Sequence, residues 1–97
     1  MKAIFLSCNQ ALYDEVLQTM KECGVRGYTG WDEVKGCGMK DGEPHLGDHA
    51  WPTLNSSLLA MVEEPAAGAF LAALKRIDDA NPQLGLRAFW WEIGGTI

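Results

Sequence analysis

Gly36-Cys37-Gly38-Met39-Lys40-Asp41-Gly42-Glu43-Pro44-His45-Leu46-Gly47-Asp48-His49-Ala50-Trp51-Pro52-Thr53-Leu54-Asn55 lies in the middle of the chain and decides how the rest is read. Gly36, Gly38, Gly42, Pro44, Gly47 and Pro52 leave it neither a helical nor a strand period. A chain of 97 residues is the size of one small domain and seldom divides into two. The segment is therefore read as one long loop, from about 38 to 54, inside a single domain spanning residues 1–97. Loops of that length in compact domains usually carry function.

The two flanks share one grammar. Ala3-Ile4-Phe5-Leu6 is apolar at consecutive positions, as in a strand covered on both faces, and Asn9 suits a helix N-cap. Leu12, Val16, Met20 and Cys23 then recur at helical spacing, with Asp14 and Glu15 near the start, Lys21 near the end and Gly24 as a stop. Val25 to Lys35 favours a strand that Gly27 and Gly30 make irregular. Beyond the loop, Ser57 to Val62 reads as a strand. Pro65 opens a helix carrying Phe70, Leu71, Leu74 and Ile77, and Asn81-Pro82 ends it. Ala88 to Ile93 is the last strand. The order β-α-β-loop-β-α-β predicts an α+β, ferredoxin-like fold: a four-stranded antiparallel sheet with two helices on one face.

In an isolated domain of this kind the other sheet face is polar. Here Phe89, Trp91 and Ile93 occupy one face of the last strand while Ala88 and Trp90 occupy the other. Something covers the second face, and another copy of the same sheet is the economical answer. A symmetric homo-oligomer is expected.

Charge and cysteine usage narrow the function. Eight Lys and Arg against 13 Asp and Glu give a net charge of −5, and the sequence pI is about 4.8. Such a balance argues against nucleic acid or anionic membranes as partners, and leaves room for a small anion held by backbone N–H groups and one or two cations. Cys8, Cys23 and Cys37 cannot all pair within one chain, and no signal-peptide pattern opens the sequence. A cytoplasmic protein without direct membrane insertion is expected. No catalytic arrangement of Ser, His, Cys and Asp can be placed; Glu63 and Glu64 adjoin a helix start, and Asp78-Asp79 reads as a solvated helix end. The chain reads as a non-enzyme.

At Gly24-Val25-Arg26-Gly27-Tyr28-Thr29, and then Glu33-Val34-Lys35-Gly36-Cys37-Gly38 before the long loop, the sequence resembles the PII signal-transduction superfamily, nitrogen regulatory proteins among them. The likeness runs over essentially the whole chain. It implies a homotrimer whose sheets line a central core, and a small-molecule effector, often an adenine nucleotide, in the cleft between subunits. It also implies that the loop relays occupancy to a regulated protein such as a transporter or a metabolic enzyme. By that resemblance the ligand-binding set is Gly27, Thr29, Gly36, Cys37, Gly38, Lys40, Gly85 and Arg87. Arg87 falls where the family carries a phosphate-contacting lysine. Trp51 takes the neighbourhood of a tyrosine that is uridylylated in some members, and is expected to serve partner contact instead. The chain departs from the pattern at Met39-Lys40-Asp41, where the family has an arginine-glutamine-lysine run. No cation follows Arg87, whereas the family supplies further arginines there. Both departures point to a divergent member.

A second reading uses the same fold for metal binding or metal tolerance. Cys37, His45 and His49 lie in or beside the loop, and a thiolate with two imidazoles suits zinc or copper.

Overall fold

The computed structural model describes residues 1–37, 44–50 and 52–97. Among them the chain forms β1 (Lys2–Asn9), α1 (Tyr13–Glu22), β2 (Thr29–Val34), β3 (Asn55–Val62), α2 (Ala66–Ala80) and β4 (Arg87–Glu92). The strands make one antiparallel sheet in the order β2-β3-β1-β4. Both helices pack on one face, so the ferredoxin-like arrangement expected from the sequence is present. Among the described residues no helix is long and apolar enough to cross a membrane.

The elements follow from their residues. Asn9 caps as expected, its side chain accepting from the Ala11 N–H at 2.9 Å, but what it caps is a 3-10 turn, Gln10–Leu12, that leads into α1. Asp14 and Glu15 face the positive end of α1 and Lys21 its negative end. Beyond it, Gly24 takes φ +84°, and the Gly24 and Val25 N–H groups close on the Lys21 and Met20 carbonyls. In α2 the Glu64 carboxylate accepts from the Gly68 N–H at 3.2 Å, and the Asn81 side chain donates to the Ile77 carbonyl at 2.9 Å. A terminal turn thereby gains partners its backbone lacks.

Alternation divides the sheet into two unlike faces. Ile4, Leu6 and Cys8 of β1 and Leu58, Ala60 and Val62 of β3 point to the helices, where Val16, Met20, Phe70, Leu74 and Ile77 complete the core. The opposite set includes Ala3, Phe5, Leu59, Met61, Phe89, Trp91 and Trp31, matched across strands as Ala3 with Met61 and Trp91, and Phe5 with Leu59 and Phe89. Phe89 is 59% exposed, Trp91 49%, and Trp31 and Met61 45% each. The face opposite the helices thus leaves large apolar side chains half in water.

β2 is shorter than the reading of Val25 to Lys35. Val25 is buried against the end of α1, and the strand begins only at Thr29. A register shift between Trp31 and Val34 takes the Asp32 carbonyl out of the ladder. Side chains replace the lost partner: Ser56 Oγ donates to it at 2.6 Å and Gln10 Nε2 at 3.4 Å.

Candidate functional site

The long loop leaves and rejoins the sheet at one end, where β1 finishes and β3 and β4 begin. Its base is closed by backbone pairing: Gly36 and His45 exchange hydrogen bonds, Gly36 N to His45 O at 2.8 Å and His45 N to Gly36 O at 2.6 Å. Farther along, Gly47 N bonds Thr53 O and Gln10 N bonds Leu54 O, both at 3.1 Å. The described part of the segment is thus tied to itself and to the turn after β1 by main-chain contacts that its composition does not announce.

Asn55 organises this base. Its side-chain nitrogen donates to Ser7 Oγ at 3.4 Å, which leaves its oxygen to accept from Nδ1 of His45. Gly36 lies flat against the same amide, and a Cβ there would collide with the Asn55 nitrogen. Glycine at this position permits the close approach of the loop base to the sheet. A polar band extends from Asn55 across the open face through Ser7, Ser57 and Arg87, since Ser7 pairs with Ser57 on one side and Arg87 on the other.

Of the residues singled out from the sequence, Gly36, Cys37, Gly85 and Arg87 lie at this end. Gly36 and the exposed Cys37 follow β2, on one edge of the sheet. Gly85 turns the chain into β4 with φ +67°, and Arg87 opens β4 on the other edge. Two strands lie between, so the edges are about 14 Å apart at the usual strand spacing. Gly27 and Thr29 are exposed at the entry of β2, Thr29 opposite Leu59 in the middle of β3. Gly38, Lys40 and Trp51 lie outside the described residues, as do Met39 and Asp41.

Arg87 is partly exposed but has partners. Its Nη1 donates to the Leu86 carbonyl at 2.7 Å and sits 3.6 Å from the Asp78 carboxylate of α2. Between α2 and β4 is a cavity of about 320 Å³, lined by Leu71, Leu74, Leu86 and Ala88 with Lys75, Asp78, Arg87 and the indole of Trp90. The pairing of Asp78 with Arg87 is not visible in the sequence, where the Asn81-Pro82 break separates the two.

The metal reading finds no assembled centre among the described residues: no three His, Cys, Asp or Glu side chains are gathered to hold an ion. His45 is committed to Asn55 through Nδ1, and His49 lies in an exposed bend.

No protein-family model matches the chain, and no curated protein matches it by sequence. Solved structures do match. A protein of Thermus thermophilus described as PII-like in signalling superposes with a TM-score of 0.67 at 21% identity, over 93% of this chain and 83% of that one. CPII, a nitrogen regulatory PII-like protein of Thiomonas intermedia K12 bound to ADP, AMP and bicarbonate, gives 0.71 at 18% identity, over 97% and 88%. Its apo form gives 0.66 at 17% identity, over 98% and 92%. The chain has the fold of the PII-like signalling proteins.

Proposed function

We propose that this chain is a divergent PII-like regulatory protein that binds a small anionic effector, an adenine nucleotide by class, between copies of itself. It acts as a binding and signalling protein of the cytoplasm rather than an enzyme. The observation that carries the reading is the position of the two candidate phosphate-contacting elements. The Gly36-Cys37 backbone and Arg87 share one end of the sheet but stand on opposite edges, about 14 Å apart. One chain cannot close both around a phosphate, whereas the β2 edge of one copy set beside the β4 edge of the next can. Repeated head to tail, that contact closes a ring, and a homotrimer follows from the family likeness. The exposed apolar face, with Phe89 and Trp91 along its β4 edge, supports burial against further copies. CPII, of the same fold, holds ADP, AMP and bicarbonate, which supports this ligand class.

Gly27, Thr29, Gly38, Lys40 and Gly85 complete the proposed binding set around Gly36, Cys37 and Arg87. Occupancy reaches a regulated protein through the loop, with Trp51 as a partner contact. The Gly36–His45 pairing and the Asn55 side chain couple the loop base to the strand ends that form the site.

Thermal unfolding of the metal-stripped protein against ADP, AMP, bicarbonate, 2-oxoglutarate, zinc and copper tests the reading. At about 1 mM ligand and a Kd of about 10 μM, selective binding to the native state adds about 2.7 kcal/mol. For a domain of this size the midpoint then rises on the order of 10 °C. A rise with ADP or AMP that Arg87→Ala abolishes is the expected result. A rise with zinc or copper alone would replace this reading by the metal one.

A further inference from the structure

Arg87 is shared between two surroundings. Its strand register sets it beside Ser7, on the open face with Phe89 and Trp91. Its guanidinium nevertheless bends round the outer edge of β4 to the helix side, anchored on the Leu86 carbonyl at 2.7 Å and facing Asp78 at 3.6 Å. Among the described residues β4 is an edge strand, so no strand of the same chain obstructs a swing of the side chain from one side to the other. Asp78 is the less exposed partner, with 28% of its side chain accessible against 44% for Arg87. The other nearby cation, Lys75, is held by Asp79 at 2.7 Å.

From this geometry we propose that Asp78 is the resident counter-ion of the effector site. In the empty protein it neutralises Arg87, and an anionic effector has to take the guanidinium from it. The inference rests on the reading that Arg87 contacts the effector. Asp78 then acts as a specificity-determining residue in two ways. It lowers the affinity for every anion by the cost of releasing Arg87. It also repels what binds beside it, a penalty that grows with the ligand's charge and disfavours the more highly phosphorylated members of a nucleotide series. Release of Asp78 changes the charge at the C-terminal part of α2, so occupancy is transmitted to the helix layer as well as to the loop.

The test is calorimetric titration of ADP into the parent protein, Asp78→Asn, Asp79→Asn, Arg87→Ala and the Asp78→Asn/Arg87→Ala double variant, at low salt. Exposed ion pairs of this kind set the scale, and Asp78→Asn is expected to tighten ADP about three- to fivefold. AMP is expected to gain less than ADP. Asp79→Asn removes the same charge from the same helix but not from Arg87, and is expected to change affinity much less. In the Arg87→Ala background, Asp78→Asn is expected to lose most of its effect. An unchanged Kd in Asp78→Asn, an equal gain in Asp79→Asn, or a full gain that survives Arg87→Ala would each overturn the counter-ion role while leaving the nucleotide site standing. ADP binding that Arg87→Ala leaves intact would overturn the role of Arg87 and this inference with it. Absence of ADP binding in all five proteins would overturn the nucleotide reading itself.

Discussion

Trp91→Glu probes what covers the open face of the sheet. Trp91 is half exposed, and on the same face stand Phe89 in the same strand, Met61 two strands away and Trp31 on the far edge, all at least 45% exposed. Side chains of this size present roughly 200 Å² each when fully accessible, so these four leave about 400 Å² of mostly apolar surface uncovered per chain. At about 25 cal/mol per Å², covering it supplies up to about 10 kcal/mol per chain, before the freedom lost on association is subtracted. Trp91 accounts for about 2.5 kcal/mol of that, close to a hundredfold in an association constant. Glutamate removes this share and would set a carboxylate into an apolar interface, where burial of the charge costs more. The isolated chain tolerates the change, because the indole is already half in water. Sedimentation velocity at micromolar concentration is therefore expected to show an assembly for the parent and single chains for Trp91→Glu, with the same far-UV circular dichroism. A parent protein that sediments as single chains, or a Trp91→Glu protein that keeps the parent's mass, would refute the reasoning.

Gly36→Ala drives a methyl group into the Asn55 amide and so disturbs its bonds to His45 and Ser7. Overpacking of this kind costs about 1–3 kcal/mol. Urea unfolding is expected to show a lower midpoint, with faster amide exchange at Gly36 and His45; an unchanged midpoint and exchange would count against the packed loop base. Burial pushes the Cys8 thiol up to about 11, whereas Cys37 is exposed. Iodoacetamide at pH 8 is accordingly expected to label Cys37 in the native protein and Cys8 only after unfolding, as peptide mapping can check. Lys2 and then the Gly68 N–H hold the Glu64 carboxyl below its ordinary value of 4.5. That contribution to stability is complete above 4.5 and is lost as pH falls through the depressed folded value. Glu64→Gln is expected to lower the melting temperature at pH 7 and to match the parent at pH 2–3; equal melting temperatures at both would contradict it. The Lys2 ammonium, raised by Glu64 and then Glu92, supports the same contact below its ordinary value and loses it only as pH rises through the raised one.

The fold is legible where side-chain periodicity decides it. The β1 apolar run, the Leu12-Val16-Met20 stripe and the doubly apolar β4 each appear where the spacing puts them. The sequence overextends β2 because Val25 to Lys35 carries strand-favouring residues throughout, while the chain uses Val25 to seal the end of α1. The glycines and prolines of the loop suggest a segment with few anchors. Its described portion is instead tied down by backbone pairs at Gly36–His45, Gly47–Thr53 and Gln10–Leu54, which any sequence can make and composition does not reveal. The same limit applies to the site. Arg87 stands out in the sequence, but Asp78 reads there as a solvated helix end, because the contact depends on the turn through Gly85 that lays β4 beside α2. His45 reads as a free loop ligand, and only the approach of Asn55 shows its Nδ1 already engaged.

The central claim is that the site forms between copies of this chain and takes an adenine nucleotide. Native mass spectrometry of the protein with ADP tests both halves in one spectrum. The expected result is a homotrimer carrying up to three ADP molecules, with no ADP on residual single chains. Single chains that bind ADP as well as the assembly does, or a trimer that takes none at millimolar ADP, would contradict it.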